Sequence, residues 1–142
     1  MFFLEPPAVY PAMREGAGGL NNLIMKTLII GASKNPERYS YKAAERLVHH
    51  NHEIELLGLR PDVIFDREID TEKKNYESID TVTLYVGPQR QPEYYDYILS
   101  LKPRRVIFNP GTENEEFYKI LKDNNIEAEV ACTLVLLGTG QY

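Results

Sequence analysis

The segment that determines the fold reads Lys26-Thr27-Leu28-Ile29-Ile30-Gly31-Ala32-Ser33-Lys34-Asn35-Pro36-Glu37-Arg38-Tyr39-Ser40. Residues 27–30 are almost continuously apolar, which predicts a buried strand that ends at Gly31. A polar loop with two cations follows, and Ser40 is a suitable N-cap for a helix. A strand, a glycine turn and a helix in this order place backbone N–H groups and the positive end of a helix where a phosphate group can bind.

The composition is that of one globular domain, with 142 residues of which 43% are hydrophobic and 26% charged. The net charge of −5 argues against nucleic acid as a partner, because no global positive field would attract a phosphate backbone. Cys132 is the single cysteine, so no disulfide can form within the chain, and a cytoplasmic location fits best. No apolar run approaches the roughly 20 residues that cross a bilayer, which argues against a membrane partner.

Residues 1–24 differ in composition from the rest of the chain. They begin with an aromatic run, Phe2-Phe3-Leu4, and continue with several prolines and glycines. We interpret them as a non-native or flexible extension that precedes the domain of residues 25–142. The alternative is a native arm that packs its aromatic residues on the surface or on a neighbouring subunit, so a homodimer is left open.

Four further apolar segments predict strands, and helical patterns separate them. The predicted strands are residues 53–59, 80–86, 105–109 and 128–131, and the predicted helices are residues 41–50, 92–101 and 113–123. Residues 62–77 are predicted to form a loop with a short helical turn. Residues 133–137 either extend the last strand or form a final helix.

Individual residues mark the ends of these helices. Asn51 can end the first helix in a left-handed conformation. Pro92 suits the first turn of the second helix, where a missing N–H group costs nothing. Thr112 and Glu115 match a capping box at the start of the third helix.

The alternation of strands and helices predicts an α/β protein with a doubly wound, three-layer architecture. We expect a five-stranded parallel sheet in the order 3-2-1-4-5, with the ligand crevice between the first and fourth strands. Residues that follow the carboxyl ends of strands converge on this crevice. They are residues 31–33, Arg60, residues 86–88 and residues 109–111.

The loop after the first strand is not a standard dinucleotide-binding turn. In the pattern G-x-G-x-x-G, Ser33 and Pro36 occupy the positions of the second and third glycines. The longer loop can still wrap a diphosphate with its N–H groups and the Ser33 hydroxyl, and Lys34 and Arg38 add positive charge. The alternative is that Gly31 is only a tight exit from the strand and that both cations are solvated.

Arg60 at the end of the second strand distinguishes between ligands. Chains that bind NAD usually have an acidic residue at this position, which holds the ribose diol. A guanidinium instead suits a phosphate on the adenosine ribose, as in NADP or coenzyme A. The alternative is an ordinary surface arginine.

Gly31-Ala32-Ser33, followed by residues 36–41 (P-E-R-Y-S-Y), resembles the signature of the small stand-alone CoA-binding proteins. Their fold is similar to the CoA-binding domain of the succinyl-CoA synthetase α subunit. The resemblance runs from Met25 to the C-terminus and includes residues 109–111 (N-P-G) and 131–134 (A-C-T-L). It implies a Rossmann-like fold and a nucleotide-type ligand, coenzyme A or an acyl-CoA. The chain departs from the family where an Asn-Pro pair is common, since Arg60-Pro61 stands there.

The resemblance also implies a position for each part of the ligand. The loop of residues 31–40 would hold the diphosphate, Arg60 the ribose phosphate, and Pro88 with residues 109–111 would line the path of the pantetheine arm. The implied binding residues are Gly31, Ala32, Ser33, Lys34, Arg38, Tyr39, Ser40, Arg60, Pro88, Asn109, Pro110 and Gly111.

The sequence shows no set of residues with the spacing of a catalytic or metal site. His49, His50 and His52 fall at the amino end of the predicted sheet, opposite the crevice. Cys132 follows the last strand and could meet a CoA thiol as a mixed disulfide, although a small buried residue without chemistry is the simpler interpretation. The sequence therefore favours a binding protein over an enzyme.

Two alternative functions stay open. Arg60 is compatible with an NADP-dependent oxidoreductase, although the missing second glycine argues against it. A protein-interaction or regulatory domain could keep this fold after losing its ligand.

Overall fold

In the computed structural model, residues 26–142 are described, and the predicted extension of residues 1–24 lies outside them. The elements in chain order are β1 (Lys26–Ala32), α1 (Tyr39–His49), β2 (Glu53–Gly58), β3 (Asp62–Ile64), β4 (Arg67–Asp70), β5 (Ile79–Leu84), a 3-10 helix (Pro88–Tyr94), α2 (Tyr95–Leu101), β6 (Arg105–Phe108), α3 (Glu115–Asp123), β7 (Glu127–Val130) and α4 (Thr133–Gly138). None of these helices is long and apolar enough to span a membrane.

The strands form one sheet of seven with helices on both faces, which confirms the predicted α/β class. The order is β3-β4-β2-β1-β5-β6-β7, and only β3 runs antiparallel to its neighbour. On one face, Leu47 of α1 and Leu137 of α4 pack on the sheet. On the other face, Ile98 of α2 and Phe117 of α3 lie in the larger core.

The predicted number of strands and their order 3-2-1-4-5 are wrong. The strand predicted at residues 80–86, expected as the outer strand beyond β2, is β5 (Ile79–Leu84), which pairs with β1. The outer position is taken by β4, which pairs with β2 and lies in the segment predicted to be a loop. If the antiparallel β3 is left out and the six parallel strands are numbered along the chain, their order across the sheet is 3-2-1-4-5-6. This order is known in doubly wound folds. The topological switch point, where the ligand crevice is expected, therefore lies between β1 and β5.

The structure also corrects two predicted caps and confirms one helix end. Helix α1 starts at Tyr39, so Ser40 is a buried residue of its first turn and not its N-cap. The N-cap of α3 is Asn114 and not Thr112, because its side chain accepts a hydrogen bond from the main-chain N–H of the third helical residue. Asn51 has φ of 66° just beyond α1, as predicted.

The structure also divides one predicted helix and decides between the two alternatives for residues 133–137. The predicted helix of residues 92–101 divides into the 3-10 helix, which contains Pro92, and α2. Residues 133–137 form a final helix, α4, and do not extend β7.

Candidate functional site

The chain turns sharply at Gly31, at the carboxyl end of β1. Its φ is +99°, and a Cβ atom there would lie 2.9 Å from the carbonyl oxygen of Tyr85, just after β5. The pairing of β1 with β2 shifts register between Ile30 and Ala32. A glycine is required because an L side chain would be both strained and in contact with the neighbouring backbone. The loop therefore leaves the sheet at the switch point between β1 and β5.

The loop of residues 31–40 is ordered by its own hydrogen bonds. The Ser33 hydroxyl oxygen accepts a bond of 3.0 Å from the N–H of Asn35. The Asn35 side chain then accepts from the N–H of Glu37 at 2.9 Å, and its carbonyl accepts from the N–H of Arg38 at 3.0 Å. The hydrogen of the Ser33 hydroxyl is still available to donate, since that oxygen acts here as an acceptor.

The start of α1 provides further donors next to this loop. The main-chain N–H groups of Tyr39 and Ser40 have no partner in their own helix, and neither bonds another residue of the range 26–142. Arg38 is exposed, and Lys34 lies 3.4 Å from the carboxylate of Asp62, with most of its side chain exposed. Free donors, a helix N-terminus and two cations thus surround one loop, which is an arrangement that suits an anion.

The end of β2, two residues before Arg60, lies next to this loop because β2 packs tightly on β1. A Cβ atom on Gly58 would lie only 2.4 Å from the carbonyl oxygen of Ala32, so the ends of the two strands are in direct contact. Arg60 follows two residues later, is exposed, and forms no hydrogen bond or ion pair with the residues that the structure describes. Its guanidinium is therefore available to an anion outside the protein.

A cleft of about 330 Å³ opens at the same edge of the sheet. Its walls come from the ends of β2 and β4 and from the 3-10 helix. It is lined by Leu57, Gly58, Leu59, Thr71, Glu72, Lys73, Glu93 and Tyr94. No local sequence pattern predicted this cleft, although three of its lining residues, Leu57, Gly58 and Leu59, fall at the end of the predicted second strand.

The end of β6 combines an exposed turn with a buried side chain. Pro110 and Gly111 are exposed, and Gly111 has φ of +95°. The Asn109 side chain is buried, donates to the hydroxyl of Thr83 at 2.6 Å, and accepts from the N–H of Thr133 at 2.9 Å. This side chain joins β5, β6 and α4, so a ligand contact at Asn109 would involve its backbone.

The remaining predicted binding residues also lie at the carboxyl edge. Pro88 is exposed and begins the 3-10 helix. Cys132 is partly buried at the N-cap position of α4, close to Tyr85. Burial raises the pKa of the Tyr85 hydroxyl above its usual range, and the Cys132 thiol adds to the shift. The roles of Pro88 and Cys132 stay predictions.

The histidines lie at the opposite edge, as predicted. His49 ends α1, and His52 directly precedes β2. The ring of His52 packs edge-on against that of Tyr142, with 5.0 Å between centroids. Burial, helped by the charge of His50, lowers the pKa of His52 to about 4. Within the range 26–142, no group of three or more His, Cys, Asp or Glu side chains could hold a metal ion.

The fold and this edge define a class of protein: an α/β domain with a glycine turn, exposed backbone donors, an exposed arginine and a cleft at one end of its sheet. A family model described as a CoA binding domain matches residues 25–138. The chain belongs to this family, which confirms the resemblance found in the sequence.

Solved structures agree with the fold. A crystal structure of an uncharacterized protein is 52% identical, covers 82% of this chain and 97% of its own, and superimposes with a TM-score of 0.81. A protein from Thermus thermophilus, 22% identical, covers 82% of this chain and 90% of its own with a TM-score of 0.73. A hypothetical protein from Pyrococcus horikoshii is also 22% identical. The match covers 78% of this chain and 79% of that protein, with a TM-score of 0.70. No curated protein matches the sequence significantly.

Proposed function

We propose that the protein binds coenzyme A or an acyl-CoA at the carboxyl edge of its sheet and does so without catalysing a reaction. The observation that carries the proposal is the ordered loop of residues 31–40. It presents unpaired N–H groups of α1 beside the unpartnered Arg60, in a chain that belongs to the CoA binding domain family. The diphosphate binds this loop, where N–H groups and the helix N-terminus offset its charge.

The other parts of the ligand extend to either side of the diphosphate. The adenosine occupies the cleft beside β2 and β4, where Leu59 is 67% exposed and offers an apolar surface to the base. Arg60 binds the ribose phosphate. The pantetheine arm runs past Pro88 and residues 109–111 toward Cys132.

Thermal unfolding with a panel of ligands tests this function. CoA, NADPH, NADH and ATP are compared at equal concentration, because a ligand that binds only the native state raises its stability. We expect CoA to raise Tm the most. A rise with NADPH but not with CoA would support the oxidoreductase alternative, and no rise with any ligand would support an interaction domain that has lost its ligand.

Arg60→Ala tests the ribose-phosphate assignment. Loss of a charge-assisted hydrogen bond should weaken CoA about tenfold and leave 3′-dephospho-CoA nearly unchanged. Arg46→Ala is the matched control, because it removes an exposed arginine from the last turn of α1, away from the carboxyl edge. Equal weakening of both ligands by Arg60→Ala would remove Arg60 from the phosphate role.

A further inference from the structure

Lys73 is a cation in the wall of the cleft that the proposed function leaves without a role. Its ammonium group donates a hydrogen bond of 2.8 Å to the carbonyl oxygen of Glu93. It also lies 5.0 Å from the centroid of the Tyr94 ring, within the range of a cation–π interaction. Both contacts come from the 3-10 helix, so this exposed side chain is already held across the cleft.

Lys73 shares the lining of the cleft with acidic residues. Two carboxylates, Glu72 and Glu93, line the cleft, and Lys73 is the one cation among its lining residues. Within the range 26–142, no carboxylate forms an ion pair with Lys73. A phosphate at the mouth of the cleft would be repelled by the two glutamates unless cations offset them.

Arg60 and Lys73 follow neighbouring strands of the sheet at matching positions. Leu57 of β2 pairs with Asp70 of β4, and each cation lies three residues beyond its paired residue. Arg60 follows Leu59 on the β2 wall, and Lys73 follows β4 and is fixed to the 3-10 helix. An ammonium group has three N–H donors, of which the carbonyl of Glu93 takes one. The other donors of Lys73 and the guanidinium of Arg60 form no hydrogen bond with residues 26–142, so both side chains can donate to an anion.

We propose that Lys73 is a second specificity-determining cation, which together with Arg60 binds the ribose phosphate of the CoA-type ligand. This inference rests on the proposed function. The contacts with Glu93 and Tyr94 hold the ammonium in place before the ligand arrives, so little side-chain freedom is lost on binding. Two cations that follow neighbouring strands then select a ligand that carries a phosphate on its ribose over one that lacks it.

Lys73→Met tests the proposal, because methionine keeps an unbranched apolar stem and removes the charge. Calorimetric titration with CoA and with 3′-dephospho-CoA should show CoA weakened about tenfold and dephospho-CoA changed less than twofold. Lys73→Arg should restore most of the preference for CoA. Lys122→Met, on an exposed lysine of α3 that does not line the cleft, should leave both affinities unchanged.

A structural role for Lys73 predicts a different result. If Lys73 only fastens the chain after β4 to the 3-10 helix, Lys73→Met should weaken both ligands equally and lower Tm without ligand, which would overturn the proposal. Unchanged affinity for CoA would also overturn it. If the unmodified protein binds neither CoA nor 3′-dephospho-CoA, the proposed function itself is wrong. The role of Lys73 is then wrong as well.

Discussion

Gly31 lies directly against Tyr85, and the structure leaves no room for a side chain between them. A Cβ atom on Gly31 would stand 2.9 Å from the Tyr85 carbonyl oxygen and 3.1 Å from its Cβ atom. A hydrogen bond also links β1 to the chain after β5 at this position, because the N–H of Tyr85 donates to the carbonyl oxygen of Ile30 at 2.9 Å. The turn that shapes the candidate diphosphate site is therefore also part of the central sheet.

Gly31→Ala should lower the free energy of unfolding by about 2 kcal/mol, because a residue with Cβ is strained at positive φ and meets backbone atoms that cannot move away. Urea unfolding measures the change. Gly138→Ala is the control, because its φ is not positive and its Cβ would meet no atom within 4 Å. If both variants were equally stable, the turn would have to relax more easily than its geometry indicates.

The sequence predicted five of the seven described strands, and four of these contain a run of apolar or β-branched residues. The fifth, β7, has only Ala128 and Val130 as apolar residues. The sequence analysis missed β3 and β4 because the turn between them lacks the usual signal. Tight hairpin turns with two residues at positive φ favour Asn-Gly or Asp-Gly, but here Phe65 and Asp66 adopt φ of 51° and 63°. The Phe65 ring packs 5.0 Å from that of Tyr41, a contact between distant segments that no local pattern reveals.

Because β3 and β4 were not predicted, only the site residues that follow the other strands could be predicted. Gly31 and Arg60 were found because each follows a recognisable strand, and the carboxyl ends of parallel strands meet at one edge. Lys73 follows β4, which had been predicted as loop, and Tyr94 lies in a segment predicted as one helix that the structure divides into a 3-10 helix and α2. The cleft between them depends on tertiary packing, so no local pattern could indicate it.

Asn109→Ala should lower the free energy of unfolding by about 3 kcal/mol. The buried side chain serves the hydroxyl of Thr83, the carbonyl of Leu84 and the N–H of Thr133, and its removal leaves these groups without their partner. Chemical denaturation gives the value. Asn124→Ala is the matched control, because that exposed side chain makes one hydrogen bond, to Ile120. A loss below about 1 kcal/mol at Asn109, as expected of such a surface bond, would contradict a structural role.

His52 should make the protein less stable as the pH falls from about 6.5 to about 4. The pKa is near 6.5 in the unfolded chain and about 4 in the folded one, where burial disfavours the charged ring. The unfolded state therefore binds the proton first, and up to about 3 kcal/mol of stability is lost across this window. Urea unfolding at a series of pH values measures the slope.

His52→Gln should flatten this dependence, because glutamine does not titrate. The substitution also loses packing against Tyr142, which lowers stability at every pH and does not change the slope. His49→Gln, on an exposed ring of the same cluster, should keep the slope of the unmodified protein. An unchanged slope in His52→Gln would assign the acid sensitivity to other groups.

Ser33→Asp should weaken CoA on the order of 100-fold while the domain stays folded. An aspartate can still accept the hydrogen bond that the N–H of Asn35 donates to Ser33, so the loop keeps its shape. Its charge would then face the diphosphate, and like charges a few ångströms apart at a protein surface repel by about 3 to 4 kcal/mol. Titration with CoA and with pantetheine, which lacks the diphosphate, should show the loss for CoA alone. Ser100→Asp adds the same charge on α2, and CoA affinity equal in the two variants would mean that the diphosphate does not bind this loop.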